Sequence, residues 1–156
     1  MATTVVIPSD SPTVVMERVF KAPRELVWDT FTKVEHLKNW WGGPGVQNTI
    51  ELDLRVGGAW NHHMKFPNGM VVSMSWVFRE IDRPNKLVWE GSGECGEERE
   101  SSLLTTTFTD VPGGTKWKLV ATFAEARLRD MAVAQGFSRP IEASNEALDQ
   151  YLSSLL

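Results

Sequence analysis

Disulfide chemistry is the first thing this sequence lacks. A single cysteine, Cys95, has no intrachain partner, so the fold must be held by its core and not by covalent staples. The N-terminal stretch MATTVVIPSDSP carries neither a basic nor an apolar segment of signal-peptide type, and a cytoplasmic location is expected. No apolar run approaches the roughly 20 residues needed to cross a bilayer. Basic runs are absent too, and the formal net charge is -4. A surface that tracks nucleic-acid phosphates needs a basic patch, so nucleic acid is excluded as a partner. No P-loop, dinucleotide fingerprint or G-x-S-x-G elbow occurs, nor any Cys/His spacing typical of zinc. Neither a cofactor nor a metal is expected.

What the chain has in abundance is tryptophan: seven, against one tyrosine. With 156 residues, 42% hydrophobic and 23% charged, it fits one folded domain, read here as residues 13–156 after a tail of residues 1–12. TVVMERVF (13–20) is β-branched and reads as a strand. KAPRELVWDTF switches to helical spacing, with Pro23 at a first turn and Val27 and Phe31 on one face. Thr32 and Glu35 have capping-box spacing for a second short helix, which Leu37, Trp40 and Trp41 make apolar on one side before Gly42, Gly43 and Pro44 end it. From Val46 to Phe123 short apolar segments alternate with turn signals at Gly57-Gly58, Pro67-Asn68-Gly69, Arg83-Pro84-Asn85 and Pro112-Gly113-Gly114. That pattern favours an antiparallel meander.

Two of these segments alternate cleanly. In AWNHHMKF one face carries Trp60, His62, Met64 and Phe66; in MVVSMSWVF one face carries Val72, Met74, Trp76 and Phe78. EARLRDMAVAQ is compatible with helix, and beyond Ser138 the residues Ile141, Leu148, Tyr151, Leu152 and Leu155 recur at 3.6-residue spacing. A sheet of about seven strands cannot leave so wide an apolar face in water, so helices must cover it, which predicts an α+β layered domain.

This order resembles the helix-grip fold of the SRPBCC superfamily, the START-like domains, and more narrowly the bacterial single-domain proteins named after the C-terminal domain of the heat-shock chaperone ATPase activator. The likeness rests on FKAPRELVWDTFT, LKNWWGGPG, LDLRVGGAWNHHM, PNG, GGTKWKL and ALDQYLSSLL, in that order, and spans the chain from about Thr13 onward. It implies a curved antiparallel sheet wrapped around a long C-terminal helix, with two short helices after the first strand. It also implies a grip on hydrophobic ligands, which some members turn over and others only bind. Two departures from the family pattern stand out: Val56 where the family has Pro, and Ser144 where it often has Trp. A smaller residue at 144 would enlarge a cavity beneath the helix. Arg139-Pro140 has the look of an insertion at which that helix starts or kinks.

Each candidate site residue has a structural reading beside its functional one. Trp60, Trp76, Trp89 and Trp117 can all supply core area. Joined by Met64, Met74 and His62, they also fit a polar-dotted apolar pocket, with Phe108 and Leu148 completing its lining. Trp40 and Trp41 cannot both face inward; one packs in the core while the other lines or caps the entrance. Asp53 and Arg55 share a strand face, as an ion pair beside the glycines or with Arg55 binding a carboxylate or enolate at the cavity mouth. His62 and His63 point to opposite faces and cannot share a metal. His62 is either a satisfied core histidine or a group that orients a ligand or acts as base. The glutamates around Cys95 in GSGECGEERE would make a thiolate there less favourable, so no catalytic role is assigned to it, and the acidic run reads as a solvated loop.

Three functions follow. The first is binding of a hydrophobic small molecule between sheet and helix. The second is cyclase- or hydrolase-like turnover there, with His62 as base and Arg55 stabilising negative charge. The third is a stress-response co-chaperone that stimulates a heat-shock chaperone ATPase. The eukaryotic activators carry a further N-terminal domain for which this chain has no room. A chaperone or a second copy of the chain stays open as a macromolecular partner.

Overall fold

The computed structural model describes residues 3–95 and 98–156, and side chains outside residues 92–101. In chain order the elements are strands β1 (Thr4–Val6) and β2 (Thr13–Phe20), helices α1 (Arg24–Thr32) and α2 (Val34–Leu37), and strands β3 (Gln47–Leu52), β4 (Ala59–Lys65), β5 (Val71–Asp82), β6 (Lys86–Cys95), β7 (Glu98–Val111) and β8 (Gly114–Thr122). Helices α3 (Ala126–Ala134) and α4 (Ser138–Leu155) follow. The strands form one antiparallel sheet in the order β1-β2-β8-β7-β6-β5-β4-β3. Its outer strands β1 and β3 do not pair, so the curved sheet stays open. The expected α+β helix-grip architecture is the one observed.

Alternation decides the inner face. In β2 Val14, Met16, Arg18 and Phe20 are buried; in β4 Trp60, His62 and Met64; in β8 Thr115, Trp117, Leu119 and Ala121. An aromatic side chain buries about 150–250 Å², which at roughly 25 cal/mol per Å² is about 4–6 kcal/mol of gross transfer energy. A face carrying several of them must therefore be covered. Helix α1 covers β7 and β8 with Val27, Trp28 and Phe31, and α4 supplies Ala147, Leu148 and Leu152. Salt bridges tether α4: Arg18 reaches Glu146 at 2.8 Å and Asp149 at 3.2 Å.

Several local expectations are corrected. The eighth strand, β1, lies in the stretch read as a tail, and pairs with β2 from Thr4↔Glu17 to Val6↔Val15. Buried Arg129 holds the chain beyond it, its Nη1 donating to the carbonyls of Pro8, Ser11 and Thr13 at 2.8, 2.9 and 3.0 Å. Thr32 does not cap α2: it is the last residue of α1, and its hydroxyl donates to the Trp28 carbonyl at 2.9 Å, one turn back. Lys33 takes the cap position, and α2 ends at Leu37. The acidic GSGECGEERE segment belongs largely to β6 and β7, whose pairing runs to Cys95↔Glu98; the Cys95 side chain lies outside the described residues. Helix α4 starts at Ser138, with Pro140 in its first turn, where a missing N–H breaks no intrahelical bond.

Candidate functional site

Strands β4 and β5 run antiparallel with Trp60 opposite Trp76 and His62 opposite Met74. Their inner faces carry an aromatic floor: Trp60 and Trp76 have ring centroids 4.7 Å apart, and Trp60 lies 5.5 Å from Trp89 and 5.8 Å from Phe78, stacked on the latter. Gly91, opposite Trp76, makes this possible, since a Cβ there would fall 2.0 Å from the Trp76 indole. Trp41, from the turn after α2, lies across the floor with its ring 5.0 Å from Trp60, 5.4 Å from His62 and 5.8 Å from Trp76. It is only half-buried, as are Ile50 and Leu52 on β3, Met74 on β5 and Ile141 on α4, whereas Met64 is buried.

The two adjacent tryptophans therefore divide the work. Trp40 is buried against Phe31 at 4.8 Å and donates its indole N–H to the Thr30 carbonyl at 3.0 Å. Trp41 turns to the sheet. The glycine behind it holds a positive φ of 85°, and its N–H donates to Ser144 Oγ at 2.8 Å. Ser144 in turn donates to the Pro140 carbonyl at 2.8 Å. The small residue at 144 thus joins α4 to the turn that presents Trp41.

His62 is fully buried, and its hydrogen bonds fix its tautomer. The Trp60 indole N–H donates to Nδ1 at 3.2 Å, and the Nε2–H donates to Asn48 Oδ1 at 2.8 Å. The Asn48 amide is itself oriented by donating from Nδ2 to the carbonyls of Trp41 at 3.0 Å and Lys38 at 3.2 Å. Burial, with a smaller contribution from the charge of His63, pushes the His62 pKa down to about 4. The ring is neutral at pH 7 with both nitrogens engaged, and using it as a base would break the Trp60 bond. His63 points to the opposite, exposed face and bonds Ser73 Oγ at 2.7 Å.

The structure does not bring Arg55 to His62. Strand β3 ends at Leu52, so the two-residue parity that placed Asp53 and Arg55 on a strand face does not apply. Arg55 projects into solvent, its side chain 75% exposed, and bonds Asp53 Oδ2 at 2.7 Å. That bond, then the charge of Asp53, raises its pKa.

Trp89, Phe108, Trp117 and Leu148 are all buried. Phe108 meets Trp28 at 5.8 Å and Phe31 at 5.2 Å. Beside them are two inner-face residues that sequence reasoning missed, Arg18 and Thr106, both buried. The signal was present: Arg18 interrupts the apolar alternation Val14, Met16, Phe20, and Thr106 interrupts Leu104, Phe108. Among the described residues no group of three or more His, Cys, Asp and Glu could hold a metal ion, and no helix is long and apolar enough to cross a membrane.

The family described as Activator of Hsp90 ATPase homolog 1-like protein matches residues 21–153. No curated protein matches the chain in sequence. Among solved structures, a protein of Mycobacterium smegmatis superimposes with a TM-score of 0.85 at 24% identity, over 96% of this chain and 95% of that one. A protein of Rhodobacter sphaeroides gives a TM-score of 0.86 at 21% identity over 97% and 99%. One of Arthrobacter aurescens gives 0.85 at 22% over 97% and 91%. At such identities these likenesses establish the fold.

Proposed function

The chain belongs to the Activator of Hsp90 ATPase homolog 1-like family, and on that premise we propose that it binds an apolar small molecule between the inner face of the sheet and α4. The observation that carries this reading is the position of Trp41, packed on Trp60, His62 and Trp76 yet half-buried. Large aromatic surface that reaches solvent at the edge of a core favours an apolar guest, which exchanges water for ring and thioether contacts. Trp41, Ile50, Met74 and Ile141 form the rim in this reading, with Trp60, Met64 and Trp76 as floor and Trp89, Phe108, Trp117 and Leu148 deeper. Trp40 and Ser144 position the rim. Binding without turnover is favoured because both His62 nitrogens are engaged and Arg55 stands outside.

Titration of the tryptophan fluorescence with apolar acids, polyketide-like aromatics and lipids, with native mass spectrometry in parallel, tests the reading. A saturable change and a one-to-one adduct are expected, weakened about tenfold or more in Trp41→Ala as one aromatic wall is lost. No change and no adduct across the panel overturns it. Stimulation of a heat-shock chaperone's ATPase by the unliganded chain would instead favour a protein partner in the cytoplasm.

A further inference from the structure

The polar atoms that the core leaves over narrow the ligand. Among the described residues three buried side-chain atoms have no hydrogen-bond partner: Arg18 Nε, Thr106 Oγ1 and Trp117 Nε1. They are not scattered. Arg18 and Trp117 are direct partners across β2 and β8. Trp117 faces Phe108 across β8 and β7, and Thr106 lies two residues along β7, facing Leu119. All alternate onto the inner face. Directly opposed side chains on one face have Cβ atoms about 4.5–5.5 Å apart, and diagonal ones about 7–8 Å, so Trp117 adjoins both Arg18 and Thr106, which flank it on the two neighbouring strands. Native interiors leave few polar groups unpaired, and three neighbours mark a place where something else supplies the partner.

Their chemistry says what. The guanidinium Nε–H and the indole N–H can only donate, and the threonine hydroxyl can donate or accept. The common complement is an acceptor oxygen. Charge then selects among acceptors. Arg18 already faces Glu146 and Asp149, so a ligand carboxylate would bring a third negative charge to a single positive one in a site shielded from water. A neutral carbonyl oxygen accepts two or three donors and needs no counter-ion. The surrounding Phe108, Leu119 and Leu87 suit an apolar skeleton. We propose that Arg18, Thr106 and Trp117 form a polar subsite that binds the carbonyl oxygen of a neutral, apolar ketone. This rests on the apolar-ligand reading above and deepens it. Helix α4 spans both regions, since Ser144 holds the turn beside Trp41 while Glu146 and Asp149 hold Arg18.

Fluorene and 9-fluorenone share a tricyclic skeleton and differ by the carbonyl oxygen, which makes them a matched pair of probes. Affinities come from fluorescence titration, and the indole N–H resonances from ¹H–¹⁵N spectra, with the Trp117 signal identified by Trp117→Phe. Fluorenone is expected to bind about tenfold tighter than fluorene, the value of one or two net hydrogen bonds, and to move the Trp117 signal downfield while fluorene does not. Thr106→Val, which keeps the side-chain shape, should shrink the preference about threefold or more and leave fluorene binding within about twofold. Equal affinities with an unmoved Trp117 signal would overturn the ketone subsite and leave the apolar-ligand reading standing. Binding of neither probe would overturn the ketone subsite, and the apolar-ligand reading falls with it only when the wider panel of apolar acids, aromatics and lipids fails as well. A complex in which a water bridges the three atoms while fluorenone lies elsewhere also refutes the subsite.

Discussion

The two ends of the sheet's inner face solve the problem of buried polarity in opposite ways. At the β3–β5 end His62, Trp60 and Asn48 form a chain in which each nitrogen or oxygen meets a partner within 3.2 Å. At the β2–β7 end Arg18, Thr106 and Trp117 each leave an atom unpaired. The first is what a core looks like when its polar groups serve its own structure. The second leaves atoms without a partner in the chain, which is the observation behind the proposed ketone subsite, and it lies on other strands than the histidine that looks most catalytic in the sequence.

The largest effect should come from breaking the closed end. Trp60 touches Trp41, Trp76, Trp89 and Phe78 and donates to His62, so Trp60→Ala removes both area and a hydrogen bond. A loss of about 3–5 kcal/mol in urea-unfolding free energy is expected. Trp117→Phe at the other end removes an N–H that bonds nothing and should cost distinctly less. Equal losses would erase the contrast.

A pH titration gives the next largest effect and is specific to the closed end. The His62 pKa falls from 6.5 to about 4 on folding, so between these values the unfolded chain binds more protons than the folded one. Stability contributed by keeping the ring neutral is fully present above about pH 6.5, falls as pH drops towards 4, and levels off below. The loss is on the order of 3 kcal/mol. Protonation at Nδ1 would also set a donor against the Trp60 N–H. In His62→Leu stability at pH 7 should drop, since buried Trp60 and half-buried Asn48 lose their bonds, and the His62 share of the pH dependence should vanish. An unchanged slope would show that other groups carry it.

Much of this was legible in the sequence because alternation is a strong rule inside strands. It placed Trp60, His62 and Trp76 on one face, and the helical stripe placed Leu148 and Leu152 beneath the last helix. The rule failed where a strand stopped. Arg55 lies three residues beyond β3, in a turn whose backbone no longer alternates, and its side chain points to Asp53 in solvent. It also misled at GSGECGEERE, where side-chain polarity suggested a loop but backbone pairing with the neighbouring strand continues regardless of charge. The Thr32–Glu35 cap failed because the hydroxyl found a nearer acceptor one turn back in its own helix. Arg18 and Thr106 were readable as polar breaks in apolar alternations. Which of their atoms go unpaired depends on packing across three strands, which spacing does not encode.

The smallest effect sharpens the comparison most, because it uses two threonines that are matched in all but partner. Thr106 and Thr115 are both fully buried on the inner face, on neighbouring strands. The Thr115 hydroxyl donates to the Ala22 carbonyl at 2.8 Å, whereas the Thr106 hydroxyl bonds nothing. Replacing either by Val exchanges a hydroxyl for a methyl of similar size. Thr115→Val breaks a bond and strands a carbonyl, and should cost about 1–2 kcal/mol. Thr106→Val relieves an unpaired buried hydroxyl and should change the unliganded stability by no more than about 0.5 kcal/mol, or raise it. Differential scanning calorimetry of both variants reads the difference directly. If Thr106→Val costs as much as Thr115→Val, its hydroxyl is already partnered in the free protein and the open end of the sheet is as closed as the other.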